Sequence, residues 1–124
     1  MSTVDDRPSV WVGHITLHTH CLDESETFMQ KIGMRPIFRG DEVAVLELRG
    51  GTHVLLLKQD SPGEGNADFD LMVEDLNETH HDYAARGLEP SEVARGDIHD
   101  SFTIRDPGGM LITVNSTHVS DQPV

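Results

Sequence analysis

HITLHTHCLDESETFMQKIGMRP (residues 14–36) and DFDLMVEDLNETHHDYAARGLEP (residues 68–90) read as one segment written twice. At a shift of 54 positions Leu17 falls on Leu71, Leu22 on Leu76, Glu24 on Glu78, Gly33 on Gly87 and Pro36 on Pro90, with no gap. Conservative matches fill the spaces between them: Ile15 with Phe69, Asp23 with Asn77, Ser25 with Thr79 and Met34 with Leu88. A repeat of this length marks two copies of one supersecondary unit, neither of which buries its apolar face well alone. The copies must therefore pack against something, and the crevice between them is the natural place for a ligand.

Each copy opens on an alternating strand, VWVGHITLHTH (10–20) or ADFDLMVEDL (67–76), and passes into a short helix. Asp23 and Asn77 are the expected N-caps, and Glu26 completes a capping-box pattern in the first copy. Gly33 and Gly87 suit the left-handed turn that ends a helix, and Pro36 and Pro90 stop its continuation. Three strands complete each unit: PIFR, EVAVLELR and THVLLLK in the first, PSEVAR, IHDSFTIR and MLITVN in the second. GGTHVLLL aligns with GGMLITV only at an offset of 58, which puts a four-residue insertion near residues 96–100. The order is therefore β-α-β-β-β twice, over residues 10–58 and 68–116. Residues 59–67 read as a linker rich in Gly, Pro and acid, residues 1–9 as a polar lead-in and THVSDQPV (117–124) as a frayed tail.

Composition narrows the function. At 124 residues the chain is one domain, or two half-domains sharing a core. No stretch is apolar and long enough to span a membrane, and no signal peptide is expected. The single cysteine, Cys21, excludes an internal disulfide, fits a reducing cytoplasmic compartment and reads as a small packed side chain. A formal charge of −13 argues against nucleic acid, whose phosphates require a basic footprint, and is compatible with a cationic ligand. There is no nucleophile elbow, phosphate-binding glycine loop or paired-cysteine metal site. Core packing is the default reading for Trp11 and Phe38, with lining the cleft or a dimer contact as the alternative. His80 and His81, adjacent on the second helix, read as solvated.

The repeat, with HITL at its head, CLDESETFMQKIGM after it and RDPGGMLITV near its end, resembles the vicinal oxygen chelate superfamily. That group includes glyoxalase I, the bleomycin-resistance proteins and the extradiol dioxygenases. The resemblance spans about residues 10–116. It implies an α+β fold, in which two βαβββ modules form an eight-stranded, cupped, mixed sheet with helices on the convex side. It also implies a homodimer, the commonest closed oligomer.

Strand alternation then assigns faces. Ile15 and Leu17 belong under the helix, while His14, Thr16, His18 and His20 face the cup. Asp68, Asp70, Met72 and Glu74 face it from the second copy. His53, Leu55 and Leu57 share one face, matched by Leu111, Thr113 and Asn115. His99, Ser101 and Thr103 follow on the next strand.

Enzymes of the superfamily hold a divalent metal with one residue from each of four strands, and the resemblance puts His14, Leu55, Asp68 and Thr113 at those positions. Only His14 matches outright; Leu55 cannot ligate and Thr113 is a poor neutral donor. His53, on the same strand face as Leu55, offers a replacement. His14, His53 and Asp68 would then make a two-histidine, one-carboxylate set suited to iron, manganese, nickel or zinc. On that reading His14, His18 and Asp68 are the catalytic candidates, with His18 as a general base. Thr16, His53, Leu55, Asp70, Met72, His99, Ser101, Thr103 and Thr113 line the ligand. Two functions stay open: a metal-dependent lyase, isomerase or dioxygenase acting on a substrate with vicinal oxygens, or a metal-free protein that sequesters an antibiotic or other small cationic or aromatic compound.

Overall fold

The computed structural model describes residues 5–124. The first module runs β1 (His14–Thr19), α1 (Leu22–Lys31), β2 (Arg35–Arg39), β3 (Val43–Glu47) and β4 (His53–Lys58). The second runs β5 (Asn66–Val73), α2 (Leu76–Ala85), β6 (Ser101–Arg105) and β7 (Leu111–Ser116). The strands form two mixed sheets, ordered β1-β4-β3-β2 and β5-β7-β6. In each, the first strand of the module pairs in parallel with its last. Edge strands β1 and β5 lie against each other at the module junction. The architecture is the α+β, twofold-repeated arrangement expected.

Alternation explains the layers. In β3 and β4, Ala44, Leu46, Val54 and Leu56 are fully buried, and Leu17 of β1 joins them. α1 covers this face, because Leu22, Ser25, Phe28 and Met29 recur at helical spacing and are buried. α2 lies on β7, with Leu76 and Tyr83 inward. Burying side chains of this size contributes on the order of 1.5–3 kcal/mol each. The opposite faces of both sheets carry the exposed His14, Thr16, His18, Asp68 and Asp70.

Both helices begin earlier than expected. The N-cap of α1 is Cys21, and Asp23 and Glu24 fall in its first turn, where carboxylates favour the positive end of the helix dipole. Glu26 binds Arg39 at 3.2 Å instead of closing a capping box. The N-cap of α2 is Asp75, whose carboxylate accepts the Glu78 N–H at 3.0 Å. Starting there lets Leu22 and Leu76 enter the core. Both helices still exit through the expected glycines, Gly33 (φ 117°) and Gly87 (φ 77°).

The eighth strand is reduced to a single bridge. PSEVAR contributes one bridge, Ala94 with Ser101, and one further backbone bond, from the Ser91 N–H to the Thr103 carbonyl at 2.9 Å. Glu89 takes a left-handed conformation (φ 52°), and Pro90 has no N–H to donate to a ladder. The Ser91 carbonyl is taken by His80 Nε2 at 2.7 Å, so His80 anchors this segment instead of facing only solvent. Trp11 and Phe38 also depart from expectation: they are 70% and 57% exposed. No helix among the described residues is long and apolar enough to cross a membrane.

Short polar contacts tie the linker to both modules. Gln59 N–H donates to the Thr19 carbonyl at 2.8 Å, and Gly63 N–H to the Gly108 carbonyl at 2.7 Å. Asp106, in the hairpin before β7, is only 1% exposed and accepts the Gly108 N–H at 2.7 Å. It sits beside the buried hydroxyl pair of Thr19 and Ser25, themselves 2.7 Å apart.

Candidate functional site

The exposed face of the second sheet is hollowed into an open groove of about 460 Å³. β5 supplies Asn66, Asp68 and Asp70, β7 supplies Thr113 and Asn115, and Ser101 and His99 close the β6 side. These residues converge because every second position of a strand points the same way. Parallel pairing then sets Asp70 opposite Thr113 and antiparallel pairing sets Ser101 opposite Asn115. The lining carries two carboxylates and no Lys or Arg. Asn115 is 4% exposed, and its Nδ2 donates to Asp70 Oδ2 at 2.9 Å. Its Oδ1 and the Nδ1 of His99 are both buried without a hydrogen-bond partner.

Of the candidates from sequence, the groove gathers Asp68, Asp70, His99, Ser101 and Thr113. Thr16 and His18 line a smaller hollow of about 270 Å³ at the module junction, with Asp68 on its opposite wall. Met72 belongs to a third, more apolar hollow with Val12, Leu71 and Val119. Leu55 lies beside Thr16 and Thr103 beside Thr113, and neither lines any of these hollows. Asn115 was placed on this face by alternation but not among the site residues. Its role depends on a bond to β5, which no local pattern encodes.

His14 and His53 form a separate cluster on the first sheet. They are paired directly across β1 and β4, with ring centroids 6.0 Å apart. His53 Nε2 donates to Glu47 Oε2 at 3.0 Å, and Glu47 also pairs with Arg35. Arg35 first, then His53, holds the Glu47 carboxyl below its ordinary range.

No protein-family model matches the chain, and no curated protein matches it. Solved structures do. A lactoylglutathione lyase from Agrobacterium tumefaciens superposes with a TM-score of 0.76 at 20% identity, over 90% of this chain and 97% of that one. A glyoxalase/bleomycin resistance protein/dioxygenase from Alicyclobacillus acidocaldarius gives 0.70 at 18% identity, over 94% and 96%. A bleomycin-binding protein complexed with bleomycin gives 0.65 at 14% identity, over 88% and 99%. The chain has the vicinal oxygen chelate fold.

The metal implied by that superfamily can be tested against the donors present. Among the described residues, no three or more His, Cys, Asp or Glu side chains are grouped so as to hold one ion. His14 and His53 meet, but Asp68 belongs to the grooves around β5. Leu55 supplies no donor at all. A catalytic metal takes about three protein ligands and keeps one open position. The donors among the described residues do not fit it.

Proposed function

We propose that this protein is a small-molecule binding protein that takes a compact cationic or aromatic compound into the β5–β7–β6 groove without a metal. One observation carries the reading: Asp68 and Asp70 stand on one wall of a groove whose lining holds no lysine or arginine. Neither carboxylate makes an ion pair among the described residues. Two like charges held side by side at a concave surface attract a counter-ion and are relieved by one. The bleomycin complex of a protein with this fold is consistent with that use. A fold alone does not assign function, so the groove's own chemistry carries the argument. The homodimer implied by the resemblance belongs to the same proposal, and light scattering on the purified protein tests it.

The binding test is isothermal titration with a panel of aromatic cations, aromatic anions and neutral aromatics of equal size. The reading expects cations to bind, with affinity falling as salt rises and falling in Asp68→Asn and Asp70→Asn. Equal binding of anions, or no change in either variant, overturns it.

A further inference from the structure

The groove also specifies which kind of cation it takes, if it takes one as proposed above. We infer that the Asp70–Asn115 end recognises a nitrogen that is both charged and hydrogen-bearing, a primary ammonium or a guanidinium, and discriminates against a quaternary ammonium.

Three observations lead there. The first is the state of Asn115. Its amide N–H already holds Asp70 Oδ2 at 2.9 Å, which orients the carboxylate. Its Oδ1 is a buried acceptor with no partner, in a side chain only 4% exposed on the groove lining. A buried acceptor left unpaired is costly, and a ligand N–H that reaches it relieves that cost. A quaternary nitrogen has no proton to offer.

The second is spacing. Asp68 and Asp70 are two residues apart on β5, which separates them by about 6.5–7 Å along the strand. Asp70 Oδ2 is already bonded to the Asn115 amide, and among the described residues no third His, Cys, Asp or Glu joins the pair to enclose a small metal cation, which takes several oxygens at about 2.3–2.6 Å. A nitrogen bearing several N–H groups can bond one carboxylate and leave the other as a longer-range counter-charge.

The third is the absence of an aromatic box. Quaternary ammonium groups are held by the faces of aromatic rings. Apart from the His99 imidazole, Phe69 is the one aromatic residue of the lining, and it packs against the core.

The test is titration of the protein with butylammonium, butylguanidinium and butyltrimethylammonium, at one pH and one ionic strength. The first two should bind, and the quaternary salt should bind at least about tenfold more weakly, the worth of one good charge-assisted hydrogen bond. Asp70→Asn should weaken the two N–H cations and narrow the gap to the third. Asn115→Leu, which keeps the branched shape and removes both polar atoms, should erase the preference. Should that buried substitution unfold the chain, the exposed Asp70→Asn still decides. Equal affinity for all three overturns this inference and leaves the cationic groove standing. Binding of none of them, with aromatic cations also failing, removes both.

Discussion

The phenol of Tyr83, on α2, donates a 2.6 Å hydrogen bond to the carbonyl of Ile32, the C-cap of α1 in the other module. The bond is buried, and it satisfies one of the carbonyls that a helix end leaves unpaired. Burial pushes the Tyr83 phenol above its ordinary pKa, so it stays a donor at neutral pH. Arg86 reinforces the contact, reaching the Lys31 carbonyl at 2.6 Å. Tyr83→Phe keeps the ring packed on Phe102 and removes only the hydroxyl. It should cost about 1–2 kcal/mol and lower the Tm by several degrees, read by thermal unfolding. A shift below about 1 °C would mean that the two modules do not depend on this bond.

Asp106 predicts an unusual pH dependence. Desolvation is the largest influence on it and raises its pKa; the Gly108 N–H, Ser25 and His20 pull it back down. The folded chain therefore holds this proton to higher pH than the unfolded chain does. Stability from this group is greatest below the ordinary carboxyl range and is lost as pH rises toward the raised value. Asp106→Asn keeps an oxygen to accept the Gly108 N–H but cannot ionise. The variant should gain on the wild type as pH is raised from about 4, measured by urea unfolding at each pH. A difference that stays flat with pH would show that Asp106 is ionised at no cost.

The hairpin glycine predicts a contrast. Gly109 has φ 108°, and a Cβ there would overlap the Gly63 carbonyl oxygen of the linker. Gly50 has a similar positive φ (83°) but opens onto free space. Gly50→Ala should cost about 1 kcal/mol from backbone strain alone. Gly109→Ala should cost about 2–4 kcal/mol, because the linker must also move. Equal losses in chemical denaturation would mean that the linker is not clamped against the hairpin.

The repeat made the fold readable. Leu17 with Leu71 and Gly33 with Gly87 marked equivalent strands and helix ends, and alternation put His14, Thr16 and His18 on the exposed face, where they lie. What stayed hidden was non-local. Reading Leu55 against a family position hid the fact that parallel pairing of β1 and β4 sets His14 opposite His53. The irregularity between Asn66 and Asp70 decides how β5 meets β7, and thus which residue faces Asp70 and Asn115. PSEVAR alternates like a strand, yet after the left-handed Glu89 and Pro90 it makes only one bridge, at Ala94, and a single bond from Ser91.

His14 and His53 supply the last prediction. Their rings are 6.0 Å apart, and Glu47 already takes the Nε2 proton of His53. A carboxylate behind a histidine is the usual support for a metal ligand, so this pair is where an ion would start to bind. Two nitrogens without a third protein donor hold a transition ion weakly and reversibly. Protein purified without chelators and then dialysed should carry well under one equivalent of zinc, nickel, manganese or iron by elemental analysis. His14→Ala should lower any such residual metal and leave the affinity of the acidic groove for cations unchanged. Stoichiometric metal that disappears in His14→Ala would overturn the metal-free reading and move the working site to the first sheet.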